Sequence, residues 1–215
     1  MQVDKFQENG YTTHLIIGNI VSLNNCLVYG LSATGAVLTS KAVLKSLKLT
    51  KKIMWTVFVL GYIIIIAFLI LVFFIRKPLL KLFSKNNTEI MEIALDSIYV
   101  VFICEIFDYS QNVIVGFFRG FGLAKPASVA SFFSLYIVTL TLAAVIGYVL
   151  EYGIEGLWLS VALGFCVNFI IYSIMLCRLD LEKVRHNIYK RLERENKSFV
   201  VNKVNREQLL HTNDL

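Results

Sequence analysis

Residues 104–120 read CEIFDYSQNVIVGFFRG, and they pose the question that decides the fold: two carboxyls, Glu105 and Asp108, lie inside an otherwise apolar run. That run, which ends at Phe118 and begins at Ile93 with a third acid, Asp96, in its first turn, is one of five. Tyr11–Ser40, Ile53–Ile75, Pro126–Leu150 and Gly156–Cys177 contain no Lys, Arg, Asp or Glu. Crossing about 30 Å of hydrocarbon takes roughly 20 helical residues, so all five are long enough to span. A soluble core of this length would need polar interruptions every turn or two. Charged residues make up only 17% of the chain, against about a quarter in soluble domains. The sequence therefore predicts an all-α membrane protein with about five transmembrane helices, at about 11–40, 53–75, 90–118, 126–150 and 156–177.

Within the third span, Glu105, Asp108, Gln111 and Asn112 share one helical stripe. An acid at a helix centre costs roughly 2.5–3.5 kcal/mol on insertion scales. The stripe should therefore point into the bundle or a wet cavity, where a carboxyl can take and release a proton. A structural pair satisfied by Ser, Asn or Tyr of neighbouring helices is the competing reading. Asp108 is the residue favoured for a functional role. Glu105 lies nearer the headgroups or bonds to a neighbour. Arg119 reads as an interfacial anchor or a ligand of the last helical carbonyls, and the glycines around it, Gly116, Gly120 and Gly122, as the means of a tight turn.

Working outward, span one carries Asn19, Asn24 and Asn25 with several glycines, and is expected to be packed on most sides. Span two is uncharged and lipid-facing, ending at Arg76 and Lys77 with Pro78 blocking continuation. Asn86–Thr88 supplies helix-start chemistry, and Pro126 suits a first turn. Tyr148 and Tyr152 flank the far end of span four as interfacial aromatics, and a short glycine-rich turn makes spans four and five a hairpin. Residues 179–194 form an amphipathic helix on the cytoplasmic leaflet, and 195–215 a disordered tail. The polar segment 1–10 does not read as a cleavable signal.

Sixteen Lys and Arg fall in the loops and tail on the side of the C-terminus, and five, Lys5, Arg76, Lys77, Lys81 and Lys85, on the other. The positive-inside rule puts the tail in the cytoplasm. The +6 charge thus belongs to membrane orientation, and no nucleic-acid partner is expected. The four cysteines lie inside spans and the three histidines lie far apart. No metal, no cofactor and no enzymatic site is expected.

Taken together, Asp108, Gln111 and the Gly116–Arg119–Gly120–Gly122 turn resemble the tenth helix of eukaryotic MATE (multidrug and toxic compound extrusion) transporters. Tyr136 is similar to a tyrosine of the family's next helix, and Gly153–Gly156–Leu157–Trp158 to the start of its last. GLSATGAV at Gly30–Val37 looks like a stretch of its eighth helix. The order and spacing of these pieces over residues 14–180 carry the match. The resemblance implies five helices like helices 8–12 of a twelve-helix antiporter, exporting xenobiotics or organic cations in exchange for protons or sodium. It places the coupling acid on Asp108. Asn19 stands where some animal members carry a second acid. The family's V-G-N-x-x-G run is replaced at Thr39-Ser40-Lys41, and its eleventh-helix proline is replaced near Thr141. The expected setting is a plasma or vacuolar-type membrane. The expected partners are the bilayer, a small organic substrate, and a missing N-terminal lobe or a second copy, the chain being read as a fragment. A flippase of lipid-linked oligosaccharides and a non-transporting scaffold are the alternatives.

Overall fold

The computed structural model describes residues 2–83, 87–149, 153–195 and 197, with backbone alone for residues 2–9. They are helical almost throughout. The elements are α1 (Gln2–Lys45), α2 (Leu47–Phe83), α3 (Thr88–Gly120), α4 (Ala124–Ser131), α5 (Thr139–Leu142) and α6 (Gly153–Cys177). Two π-helical segments, Phe132–Val138 and Ala143–Val149, flank α5. A further helix, α7, covers residues 181–195. Among the described residues, four helices are long and apolar enough to cross a membrane, over Gly10–Lys45, Leu47–Lys81, Ala124–Gly147 and Ile154–Cys177. The fifth expected span is α3, which carries the acids.

The bundle is built around α3. Going up α1, Thr13, Asn24 and Ser32 bond in turn to Ile90, Glu105 and Asn112, so α1 and α3 run parallel. On α6, Asn168 meets Gln111 and Tyr172 meets Phe118, so α6 is parallel to α3 as well. α2 runs the other way, with Arg76 beside Tyr99 and Tyr62 beside Ser110.

Small residues set the α1–α3 distance. A Cβ at Gly116 would strike the Ser32 carbonyl and hydroxyl, and one at Gly120 the Ala36 carbonyl and Thr39 hydroxyl. Gly116 and Gly120 are four apart, the spacing that lets membrane helix backbones approach closely. This corrects the sequence reading of Gly120 as a turn residue: it is helical, and its role is close approach. The turn belongs to Gly122, with φ of 75°. There the Leu123 N–H bonds the Phe118 carbonyl at 2.8 Å and the Gly122 N–H bonds that of Arg119 at 3.0 Å, a glycine-terminated helix end. The last carbonyls are thus satisfied by backbone, and the Arg119 side chain has no hydrogen-bond partner among the described residues.

α2 is locked to α3 through Tyr109, which is fully buried. Its hydroxyl donates to the carbonyls of Val57 at 3.0 Å and Phe58 at 2.8 Å. Gly61 leaves the room, since a Cβ there would collide with the phenol. The ring joins Val28, Val57, Ile65, Val113 and Phe117 in the main core.

Two further expectations change. α2 continues through Pro78 to Phe83, because Leu80, 1% exposed, packs with Ile16, Ile20, Ile90 and Ala94. That burial, about 1.5–3 kcal/mol for a leucine, offsets a cost of about 3 kcal/mol for proline in a helix. α1 is packed on one stripe (Ile16, Ile17, Ile20, Asn24, Val28, Ser32, Thr39), whereas Asn19, Ser22 and Tyr29 are exposed. Asn87 caps α3, its side chain accepting from the N–H of Glu89 and Ile90. Asn86, Tyr152 and the tail from 198 lie outside the described residues, as does the Tyr148 side chain. Val184 of α7 is buried and packs with Leu181 and Ile188 against the main core, and the Tyr189 hydroxyl donates to the Leu44 carbonyl at 2.9 Å. Asp180 caps α7, and the backbone N–H of Lys183 holds its carboxyl below the usual carboxylate range.

Candidate functional site

The polar stripe of α3 enters the bundle at two levels. Glu105, 3% exposed, accepts a hydrogen bond from the Asn24 amide of α1. One turn on, Asp108 is 6% exposed. Its Oδ1 accepts from Gln111 Nε2 at 3.0 Å and from Asn112 Nδ2 at 2.9 Å. Both donors are themselves positioned by other helices. The Gln111 Oε1 accepts from the Asn168 amide of α6. The Asn112 backbone carbonyl accepts from the Ser32 hydroxyl of α1 at 2.6 Å. Three helices therefore converge on one carboxylate.

The other oxygen is different. Asp108 Oδ2 is buried with no hydrogen-bond partner among the described residues, and the same is true of Asn168 Oδ1 and Asn24 Oδ1. A buried acceptor left open costs about 1–3 kcal/mol, more if charged. Such a cost is explained at a place that takes up a proton, a cation or a ligand group. Asp108 lines a cavity of about 500 Å3 with Tyr29, Gln111, Asn112, Arg119 and Tyr136. Phe132, Phe165 and Tyr172 add aromatic surface. Aromatic faces around one carboxylate are the chemistry that attracts organic cations.

The structure brings Asp108, Gln111 and Asn112 together as the stripe requires, and sets Glu105 apart on Asn24. Asn19 is exposed and lines no part of the cavity. Trp158 is buried against His14, with ring centroids 5.5 Å apart and no partner for its Nε1 among the described residues, and it does not line the cavity. Arg119 stands at the cavity wall. Asn168 and Tyr172 were not singled out from sequence. Asn168 is the single amide in the Gly156–Cys177 span, so the argument that located Asp108, a polar group too costly to face lipid, would have located it too. Tyr29 gives no such signal, because an exposed tyrosine suits lipid, interface or cavity alike.

The π-helical segment Phe132–Val138 supplies Phe132, Leu135 and Tyr136 to the cavity. Its neighbour Thr139 rests on Gly164 of α6, where a Cβ would collide with the threonine hydroxyl. Wide π turns are frequent next to functional sites.

The MatE family model matches residues 13–145. In structure the chain is similar to a crystal structure of the eukaryotic MATE transporter AtDTX14, with a TM-score of 0.67 at 19% identity. The match covers 82% of this chain and 41% of that one, so the chain spans about two fifths of that transporter. At this identity the likeness is one of fold. No curated protein matches the chain in sequence.

Proposed function

This chain belongs to the MatE family of membrane transporters, and from that premise we propose that it is the coupling half of an antiporter that exports organic cations or other xenobiotics. Asp108 exchanges its cargo for a proton or a sodium ion. The observation that carries this reading is the asymmetry of its carboxylate: Oδ1 is taken by two amides, and Oδ2 is open. The amides hold the group in place while the free oxygen binds and releases. Among the residues lining the cavity, Arg119 is the only cation. That is few for the pyrophosphate of a lipid-linked sugar, which places the flippase reading second. Alternating access needs an opposing lobe across the binding site, supplied by an N-terminal half or a second copy.

Proteoliposomes with an acidic lumen test the proposal. Labelled tetraethylammonium should accumulate while the proton gradient lasts and leak when it is collapsed. Accumulation driven only by a sodium gradient would make sodium the coupling ion. None under either gradient, even with the opposing lobe co-reconstituted, would leave the non-transporting scaffold.

The same reading places the C-terminus in the cytoplasm, on the distribution of Lys and Arg. A cysteine introduced between residues 200 and 210 should react with an impermeant maleimide only after permeabilisation. Labelling of intact cells would reverse the orientation.

A further inference from the structure

Where the start of α2 meets the end of α6, two cavities adjoin. The apolar one, about 310 Å3, is lined by Met54, Trp55, Phe58, Phe117, Phe169 and Leu176, with Lys51 at its edge. The second, about 500 Å3, shares Lys51, Met54, Leu176 and Cys177 and adds two carboxylates, Asp180 and Glu182. Both α2 and α6 are apolar enough to cross a bilayer. The groove between them therefore opens onto hydrocarbon. Lys51 precedes the uncharged run that starts at Ile53, which puts its ammonium at headgroup depth. Trp55 is 69% exposed, as an interfacial tryptophan would be.

We propose that this double groove binds one membrane phospholipid with a primary-amine headgroup, of the phosphatidylethanolamine class. An acyl chain lies against Phe58, Phe117 and Phe169, the phosphate on Lys51 and the ammonium on Glu182. The charges select this headgroup. Lys51 and Glu182 line one cavity without forming an ion pair, and neither side chain has a partner among the described residues. Asp180 is already engaged: its Oδ1 accepts from the N–H of Glu182 at 3.0 Å and of Lys183 at 3.2 Å. Its Oδ2 faces the Lys183 ammonium at 3.6 Å. Glu182 is therefore the carboxylate free for a ligand. A purely anionic lipid would set its charge against Glu182. A choline headgroup has no N–H to donate. The bound lipid would tie α7 to α2, and it uses none of the residues around Asp108.

Tryptophan quenching tests this on the 215-residue chain in nanodiscs. Lipids with brominated acyl chains quench a tryptophan they touch, and the difference between wild type and Trp55→Phe isolates the Trp55 signal. Brominated phosphatidylethanolamine should half-quench Trp55 at a mole fraction about threefold lower than phosphatidylcholine or phosphatidylglycerol, as two exposed charge contacts would give. Lys51→Ala and Glu182→Gln should each abolish the preference, and Lys81→Ala at the other end of α2 should leave it intact. Equal quenching by all three lipids overturns the proposal, and so does a preference for phosphatidylglycerol.

Discussion

Asp108→Asn should insert and fold like the parent chain yet lose proton-driven export. The amide has nearly the size of the carboxyl, and Gln111 and Asn112 can still donate to its remaining oxygen with the geometry seen at Oδ1. What disappears is the charge at the open position. A neutral group cannot alternate between a proton and a cation, so gradient-driven uptake in proteoliposomes should fall roughly tenfold or more, at every external pH. Glu105→Gln should do less. That carboxyl accepts from Asn24 between two helices and lines no part of the cavity. A glutamine can keep the contact through its own carbonyl oxygen. Wild-type rates and an unchanged pH profile in Asp108→Asn would make the stripe structural. The converse ranking, with Glu105→Gln the more damaging, would move the coupling site one turn along α3.

The second large effect concerns assembly of the bundle. Gly116→Leu and Gly120→Val push new carbon into the backbone carbonyls of Ser32 and Ala36. Overpacking of a tight contact costs about 1–3 kcal/mol, occasionally more, and here the obstacle is main chain, which cannot rotate away. The outcome should be loss of most of the monodisperse peak in fluorescence-detected size exclusion, with a lowered melting temperature for what remains. Gly18→Ala and Gly30→Ala are the controls. A Cβ at either meets nothing within 4 Å, and alanine in place of glycine favours a helix by about 0.8–1 kcal/mol. Those two should be as stable as the parent or more so. If Gly120→Val gave normal yield and altered substrate choice, the α1–α3 crossing would be loose and Gly120 part of the binding surface.

Some of this was legible in the linear pattern and some was not. Five long apolar stretches declare a helical membrane protein because lipid offers backbone groups no partner. The spacing of Glu105, Asp108, Gln111 and Asn112 declares an inward stripe because helical pitch is fixed. The expected stop of α2 at Pro78 does not occur. Local propensity there is overridden by distant packing, as with Leu80 on α1 and α3. The phase of α1 was equally hidden: Asn19, Asn24 and Asn25 are the same residue type, and only the position of α3 selects Asn24 for burial.

By itself, then, the chain's sequence determined the all-helical, membrane-spanning character and the stripe of polar groups too costly to leave in lipid, since each depends on composition and pitch within one segment. Only the tertiary structure decided what that stripe meets. That Asn168 on α6 orients Gln111, that Ser32 on α1 anchors the Asn112 carbonyl, and that Asp108 keeps one buried oxygen without a partner among the described residues follow from how three helices pack. Contacts between residues 57 and 80 positions apart leave no periodic trace in the sequence, because they depend on the rotation of one helix against another.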